Sequence, residues 1–171
     1  MFLYTSDLHL FHENVIRLCN RPFKNIEEMH ETIKNNWNNK VKVDDTVIIG
    51  GDIGFPKDRK NIDAIVQFID NLNGKKILVI GNHDGKLLKN QKFRDCFISI
   101  NQYLEINDND KKVIIFHYPI EEWNGYFRNA IHLFGHVHDN ENNLQKIKNR
   151  YNIGVDVNNF TPMTLNELIK K

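Results

Sequence analysis

Phe2-Leu3-Tyr4-Thr5-Ser6-Asp7-Leu8-His9 begins as a short apolar run and ends on a carboxylate and an imidazole two positions apart. The run Phe2–Ser6 reads as a buried strand. Extended backbone places residues i and i+2 on one side, so Asp7 and His9 are expected to point into one pocket. Four further clusters follow the same plan. Gly51-Asp52 follows the β-branched run Thr46–Ile49, and Gly81-Asn82-His83-Asp84 follows Lys76–Ile80. Phe116-His117 closes Lys112–His117, and Gly135-His136-Val137-His138 follows Ile131–Phe134. Ligand-type side chains at strand ends, interrupted by glycines that let the backbone turn sharply, are how open sheets collect their sites.

Between these strands lie helical patterns. Glu13–Cys19 reads as a short helix. Asn25 with Glu28 makes a capping-box-like start, and Ile26, Met29, Ile33 and Trp37 recur at helical spacing to about Asn39. Asn61–Leu72 carries Ile62, Ile65, Val66 and Ile69 in the same way, and Asn73-Gly74 stops it. Leu87–Phe97 is expected to be partly helical. Ile98–Ile106 and Lys112–His117 read as a hairpin around Asn107-Asp108-Asn109-Asp110. Tyr151–Val157 reads as a last strand, and Thr164 with Glu167 caps a short helix through Leu165, Leu168 and Ile169. Strand and helix alternate in the first half and strands dominate the second. That implies a layered α/β (α+β) domain with sheets inside. With no linker, repeat or low-complexity tract, residues 1–171 are expected to form a single domain.

The bulk composition narrows the function classes. The chain has 171 residues, is 40% hydrophobic and 26% charged, and carries a net charge of +1. A neutral balance gives no general attraction to anionic membranes and argues against an extended nucleic-acid groove. No stretch approaches the ~20 apolar residues of a membrane span. The first residues lack the basic and long apolar regions of a signal peptide. Cys19 and Cys96 form no C-x-x-C pair and are expected to be reduced, buried thiols. The expected location is therefore the cytoplasm, of a bacterial cell or of a host cell if the chain is phage-encoded.

Mixed Asp, His and Asn donors without thiolate suit Mn²⁺, Fe or Zn²⁺ in an open site better than a structural zinc cage. Asp52 stands alone in its cluster and is central in chain order, and a carboxylate can bridge two cations. It is the expected bridging ligand.

In the order D-x-H, G-D, G-N-H-D, H and G-H-x-H, spanning Asp7 to His138, the chain resembles the calcineurin-like metallophosphoesterase superfamily. Asp7-Leu8-His9-Leu10-Phe11-His12-Glu13-Asn14-Val15-Ile16, Asn20-Arg21-Pro22-Phe23 and Asn152-Ile153-Gly154-Val155-Asp156-Val157 resemble a small prokaryotic and phage-type branch of it. The resemblance implies a four-layer αββα sandwich, two mixed β-sheets flanked by helices. It implies a first metal held by Asp7, His9, Asp52 and His138, and a second held by Asp52, Asn82, His117 and His136. His83 would face the substrate, with Asp84 orienting it. Many members carry a second Asp three residues after the bridging one, where this chain has Phe55.

Two divalent transition-metal ions, manganese first and iron or zinc as alternatives, would clamp a phosphate ester and generate a metal-bridging hydroxide near neutral pH. The expected activity is hydrolysis of phosphate mono- or diesters, with a phosphodiester preferred. A nucleotide is one candidate among small phosphate-ester substrates. His83 is the expected proton donor to the leaving oxygen. Asp84 reads equally as its partner or as a helix cap. The alternatives are a non-catalytic binding module on the same fold, or metal held for stability alone.

The remaining polar candidates are weaker. Arg21 and Arg128 could fork onto phosphate oxygens, against a surface or ion-paired role. His12 is expected at the pocket edge. Tyr118 and the aromatics of Pro119–Asn129 either wall the pocket or pin a long loop, and pinning is preferred for Trp123, Tyr126 and Phe127. His30 and His132 are expected to be structural, His132 hydrogen-bonded and buried.

Overall fold

The computed structural model describes residues 1–140 and 144–170. In chain order the strands are β1 (Phe2–Thr5), β2 (Thr46–Ile49), β3 (Lys75–Val79), β4 (Ser99–Asn101), β5 (Leu104–Asp108), β6 (Lys111–Ile115), β7 (Ile131–Phe134) and β8 (Arg150–Asn152). The helices are α1 (Glu13–Leu18), α2 (Ile26–Lys40), α3 (Arg59–Asp70), α4 (Gln91–Asp95) and α5 (Leu165–Ile169).

The strands form two four-stranded sheets, ordered β1-β2-β3-β4 and β5-β6-β7-β8. The alternation of side chains assigns the layers. Leu3, Val47, Ile49 and Leu78 face α1 to α4 and pack with Met29, Ile33, Trp37, Ile65 and Phe93. Tyr4, Ile48 and Val79 point the other way, between the sheets, where they meet Val113, Ile115, Ile131 and Leu133. Leu165 and Leu168 of α5 join that central core. The far face of the second sheet presents Ile114 to Trp123 and Ala130, so the fourth layer is a loop with a 3-10 turn at Tyr126–Arg128. Trp123 does pin this loop, donating its indole N–H to the Ala130 carbonyl at 3.0 Å.

Two mixed sheets were expected. The second is mixed, with β5 antiparallel to β6 and the rest parallel. The first is parallel across its four strands, and an antiparallel bridge from Tyr4 to Met163 lies on its β1 edge.

Three departures from the expected boundaries have a clear physical cause. Ile98–Ile106 is not one strand: β4 joins β3, and after Gln102-Tyr103 the chain crosses to the other sheet as β5. Both pieces alternate with the same period, so the pattern hides the break. Tyr151–Val157 also breaks, because Gly154 leads into a 3-10 turn at Val155–Val157. Helix α3 begins at Arg59 because the Asp58 carboxylate accepts the Asn61 amide at 2.9 Å and caps it earlier. The α2 cap at Asn25 and the α5 capping box of Thr164 and Glu167 form as the sequence indicates, though Glu28 takes the Lys24 amide rather than that of Asn25.

His30 and His132 are neutral parts of this framework. His30 Nε2 accepts the Phe11 amide at 3.0 Å, and burial pulls its pKa down to about 4. His132 is fully buried, with Nδ1 3.4 Å from the Ile114 carbonyl and Nε2 at 3.2 Å from the Tyr118 carbonyl and 3.3 Å from the Ile120 amide. Burial pulls it to about 4 as well. Unfolded histidine titrates near ~6.5, so below that pH the unfolded chain binds protons that the folded one refuses. The stability these two histidines contribute is expected to be fully present above pH ~6.5 and to fall as pH drops toward ~4. Urea denaturation between these limits should give a shallower pH dependence in His132→Asn than in the native protein.

Candidate metal centre

The site forms where strands from both sheets end. Beyond β1 and β2 the backbones stay zipped: Asp7 N–H donates to Gly51 O at 3.0 Å, His9 to Asp52 O at 3.0 Å and Leu10 to Ile53 O at 2.9 Å. Asp7, His9 and Asp52 adopt left-handed backbone, with φ of 60°, 50° and 54°. His136 and His138, after β7, do the same at 72° and 52°. The extended geometry expected for Asp7-Leu8-His9 and His136-Val137-His138 is therefore not what aims these side chains. Each left-handed non-glycine residue costs roughly 1–3 kcal/mol, and such strain gathers at functional sites.

Two donor groups result. One donor atom from each of Asp7, His9 and His138 lies within 4.8 Å of the others, and the same holds for Asp52, His117 and His136. Asp52 Oδ2 stands between the groups, 3.7 Å from His9 Nε2 and 3.4 Å from His117 Nε2. Asn82 Oδ1 sits 2.9 Å from both His117 Nε2 and His136 Nδ1.

The chemistry of these atoms fits a cation. Both ring nitrogens of His9 are buried with no hydrogen-bond partner. Burial holds that ring neutral, its pKa pulled down to about 2 although Asp52 opposes the shift. His117 Nδ1 donates to the Gly50 carbonyl at 2.7 Å. Its Nε2 lone pair then faces two oxygens, and acceptors converging on acceptors call for positive charge between them. Burial works against a proton on His117, but Asp52 and Asp7 outweigh it and raise its pKa. His138 Nδ1 donates to Asp156 Oδ2 at 2.7 Å, which leaves its Nε2 for a ligand. A ring nitrogen tied to carbonyl or carboxylate, with the other free, is how ligating histidines are oriented.

Asp52 itself is buried, yet contacts with His117 and the His83 amide bring its carboxyl down to about 2 against the penalty of burial. Burial raises the pKa of Asp7, opposed by His117 and His138. Two glycines permit the close approach. A Cβ on Gly81 would fall 2.2 Å from Asp52 Oδ1, and one on Gly135 would fall 2.3 Å from Asp7 Oδ2.

A model of the calcineurin-like phosphoesterase family matches residues 1–157. The chain belongs to that family. Over 169 residues it is 32% identical to the uncharacterized protein MJ1445 of Methanocaldococcus jannaschii, spanning 96% of this chain and 87% of the relative. It is 38% identical to the Gene 66 protein of Mycobacterium phage L5 over 82 residues, 48% of this chain and 39% of that one. The crystal structure of AQ665 from Aquifex aeolicus, a protein of unknown function, covers 99% of this chain with 98% of its own at a TM-score of 0.78 and 27% identity.

Within this calcineurin-like frame, the four substrate-contact candidates separate. Arg21 does not face a substrate. Its side chain is sealed from solvent, with Nε and Nη2 on Asp156 at 2.7 and 3.0 Å, Nη2 on the Asp7 carbonyl at 2.7 Å and Nη1 on the Leu8 carbonyl at 3.0 Å. Arg128 stays exposed on the 3-10 turn of the outer loop. His12 lies beside His9, ring centroids 5.5 Å apart. Tyr118 is half-exposed and meets His136 and His117 edge-on at 4.7 and 5.0 Å.

Asp84 neither orients His83 nor caps a helix. Its carboxylate accepts the amides of Gly81 and Asp52 on Oδ2, at 2.7 and 3.0 Å, and that of Ile53 on Oδ1 at 2.9 Å. Burial pushes it up to about 6 against these donors. It ties the loop after β3 to the loop after β2.

Sequence alone gives no role to Asp156, which lies in Asn152–Val157. Its signal was an isolated acid beyond a strand, the same signal that marked Asp52. Cys19 is a free, partly buried thiol, and Cys19, His138 and Asp156 bring donor atoms within 4.8 Å of one another.

Arg21→Ala would strand a buried carboxylate and two carbonyls, a loss of about 3–5 kcal/mol for breaking such a pair. Denaturant unfolding of metal-stripped protein is expected to show that loss. A raised KM with unchanged stability would instead mark Arg21 as a substrate contact.

Proposed function

We propose that this chain is a dinuclear, metal-dependent phosphoesterase acting as one domain over residues 1–171. Asp7, His9, Asp52 and His138 would hold one divalent ion, and Asp52, Asn82, His117 and His136 the other. The observation that carries this reading is the position of Asp52 Oδ2, within 3.7 Å of His9 Nε2 in one donor group and 3.4 Å of His117 Nε2 in the other. Oxygen and imidazole donors suit Mn²⁺, with Fe or Zn²⁺ as alternatives. Bound there, the ions would polarise the phosphate and lower the pKa of water toward ~7.

The protein's own part is positioning and proton transfer. Hydrolysis breaks the bond from phosphorus to the leaving oxygen, which needs a proton. His83 is the group for it. Its backbone N–H is fixed on Asp52 Oδ1 at 2.8 Å, its Nε2 lies 4.0 Å from Asp52 Oδ2, and its side chain is 37% exposed. It thus borders the donor cluster on one side and solvent on the other. A phosphodiester is preferred to a monoester, and a small substrate to a nucleic-acid strand, since the net charge of +1 provides no broad attraction.

Elemental analysis of stripped protein reloaded with Mn²⁺ should find two ions per chain, and Asp52→Asn should lower occupancy of both. Retention of two ions by that variant would refute the bridging role. His83→Ala is expected to keep its metal and lose roughly 10²–10⁴ in turnover, the range for general acid–base catalysis. A panel of aryl mono- and diesters, nucleotides and 2′,3′-cyclic nucleotides identifies the ester class.

A further inference from the structure

Phe55 is an apolar ring left 41% exposed beside this polar cluster. It stacks on His12, with centroids 4.7 Å apart and planes at 27°. It also meets His83 edge-on, at 5.5 Å and 69°. The backbone fixes the ring's setting. Phe55 N–H donates to the Leu10 carbonyl at 2.8 Å, and Gly54 forms a parallel bridge with Leu10. A Cβ on Gly54 would fall 2.9 Å from the Leu10 carbonyl oxygen, so the two loops touch with no spare space. The segments that bring His9 and Asp52 to the cluster therefore also build an aromatic wall of His12 and Phe55.

We propose that Phe55 determines specificity by offering its uncovered surface to a flat ring in the leaving group of the ester. This rests on the reading of His83 as proton donor. The oxygen that His83 protonates carries the departing alcohol, and of the two rings that meet His83 edge-on, His9 is buried in the donor group while Phe55 is exposed. In the step, an oxygen of water bonds to phosphorus and the bond to the ring-bearing alcohol breaks. His83 gives its proton to the departing oxygen, and one proton of the water restores it. A flat ring against Phe55 removes apolar surface from water and adds ring–ring contact, which a methyl group is too small to do. Tyr118, another half-exposed aromatic beside the donor groups, meets His117 and His136 instead.

Non-hydrolysable phosphonates separate this inference from turnover. Binding of methylphosphonate, phenylphosphonate and the 5′-methylenephosphonate of adenosine to Mn²⁺-loaded protein would be measured by calorimetry. The native protein should bind a ring-bearing compound about tenfold more tightly than methylphosphonate, as for single aromatic stacking contacts. That advantage should vanish in Phe55→Ala and Phe55→Leu and persist in Phe55→Trp. An advantage confined to phenylphosphonate identifies an aryl ester, and one for the adenosine compound a nucleoside ester. An advantage that survives Phe55→Ala, or is lost in Tyr118→Ala instead, overturns the assignment while leaving the phosphoesterase reading intact. If neither methylphosphonate nor inorganic phosphate binds, the phosphoesterase reading falls and takes this inference with it.

Discussion

Arg21 is a cation sealed inside the protein, and three stretches of chain meet on it. Its guanidinium takes the carbonyls of Asp7 and Leu8, beyond β1, and both oxygens of Asp156, beyond β8. Asp156 passes the constraint on by holding His138 at 2.7 Å. A planar fork with five donors can serve three acceptor groups at once; an ammonium could not match that geometry. The ion pair stabilises the fold only conditionally, since burying two charges is costly. What it gains is register between the segment carrying Asp7 and His9 and the segment carrying Asp156.

Asp84 does the corresponding work on the other side. Three amide hydrogen bonds to one carboxylate hold the turn after β3 against the turn after β2. Between these two clamps lie five residues in left-handed backbone, each a candidate donor. Isolated loops would relax from that conformation. The clamps, the zipped amides beyond β1 and β2, and the close packing at Gly81 and Gly135 over-determine it. Donor atoms are thus held in place before any ion arrives, as a selective site requires.

The chain's periodicity carried most of the architecture. Runs such as Thr46–Ile49 and the stripe of Met29, Ile33 and Trp37 have one physical reading, and they fold that way. The breaks at Gln102-Tyr103 and at Gly154 were invisible because nothing in a period-2 pattern records which sheet a strand joins. The seven ligand-type residues are gathered by the fold, since a polar group directly after a buried strand has few other places to be. Left-handed backbone, not the extended pleating that the strand pattern implies, aims Asp7 and His9. Arg21 and Asp84 are braces. An ion-paired role for Arg21 is legible beside its motif, but only the count of backbone groups that each side chain satisfies shows what it holds together.

Each donor group draws on both sheets. Asp7 and His9 extend from the first sheet and His138 from the second; Asp52 and Asn82 come from the first, His117 and His136 from the second. Coordination would therefore work as a pair of rivets through the seam between layers. Sliding one sheet over the other would strip both seats together, so ion affinity and the fit of Ile48 and Val79 against Leu133 are bound in one thermodynamic cycle. Remote packing in that seam would set how tightly an ion in either seat is held.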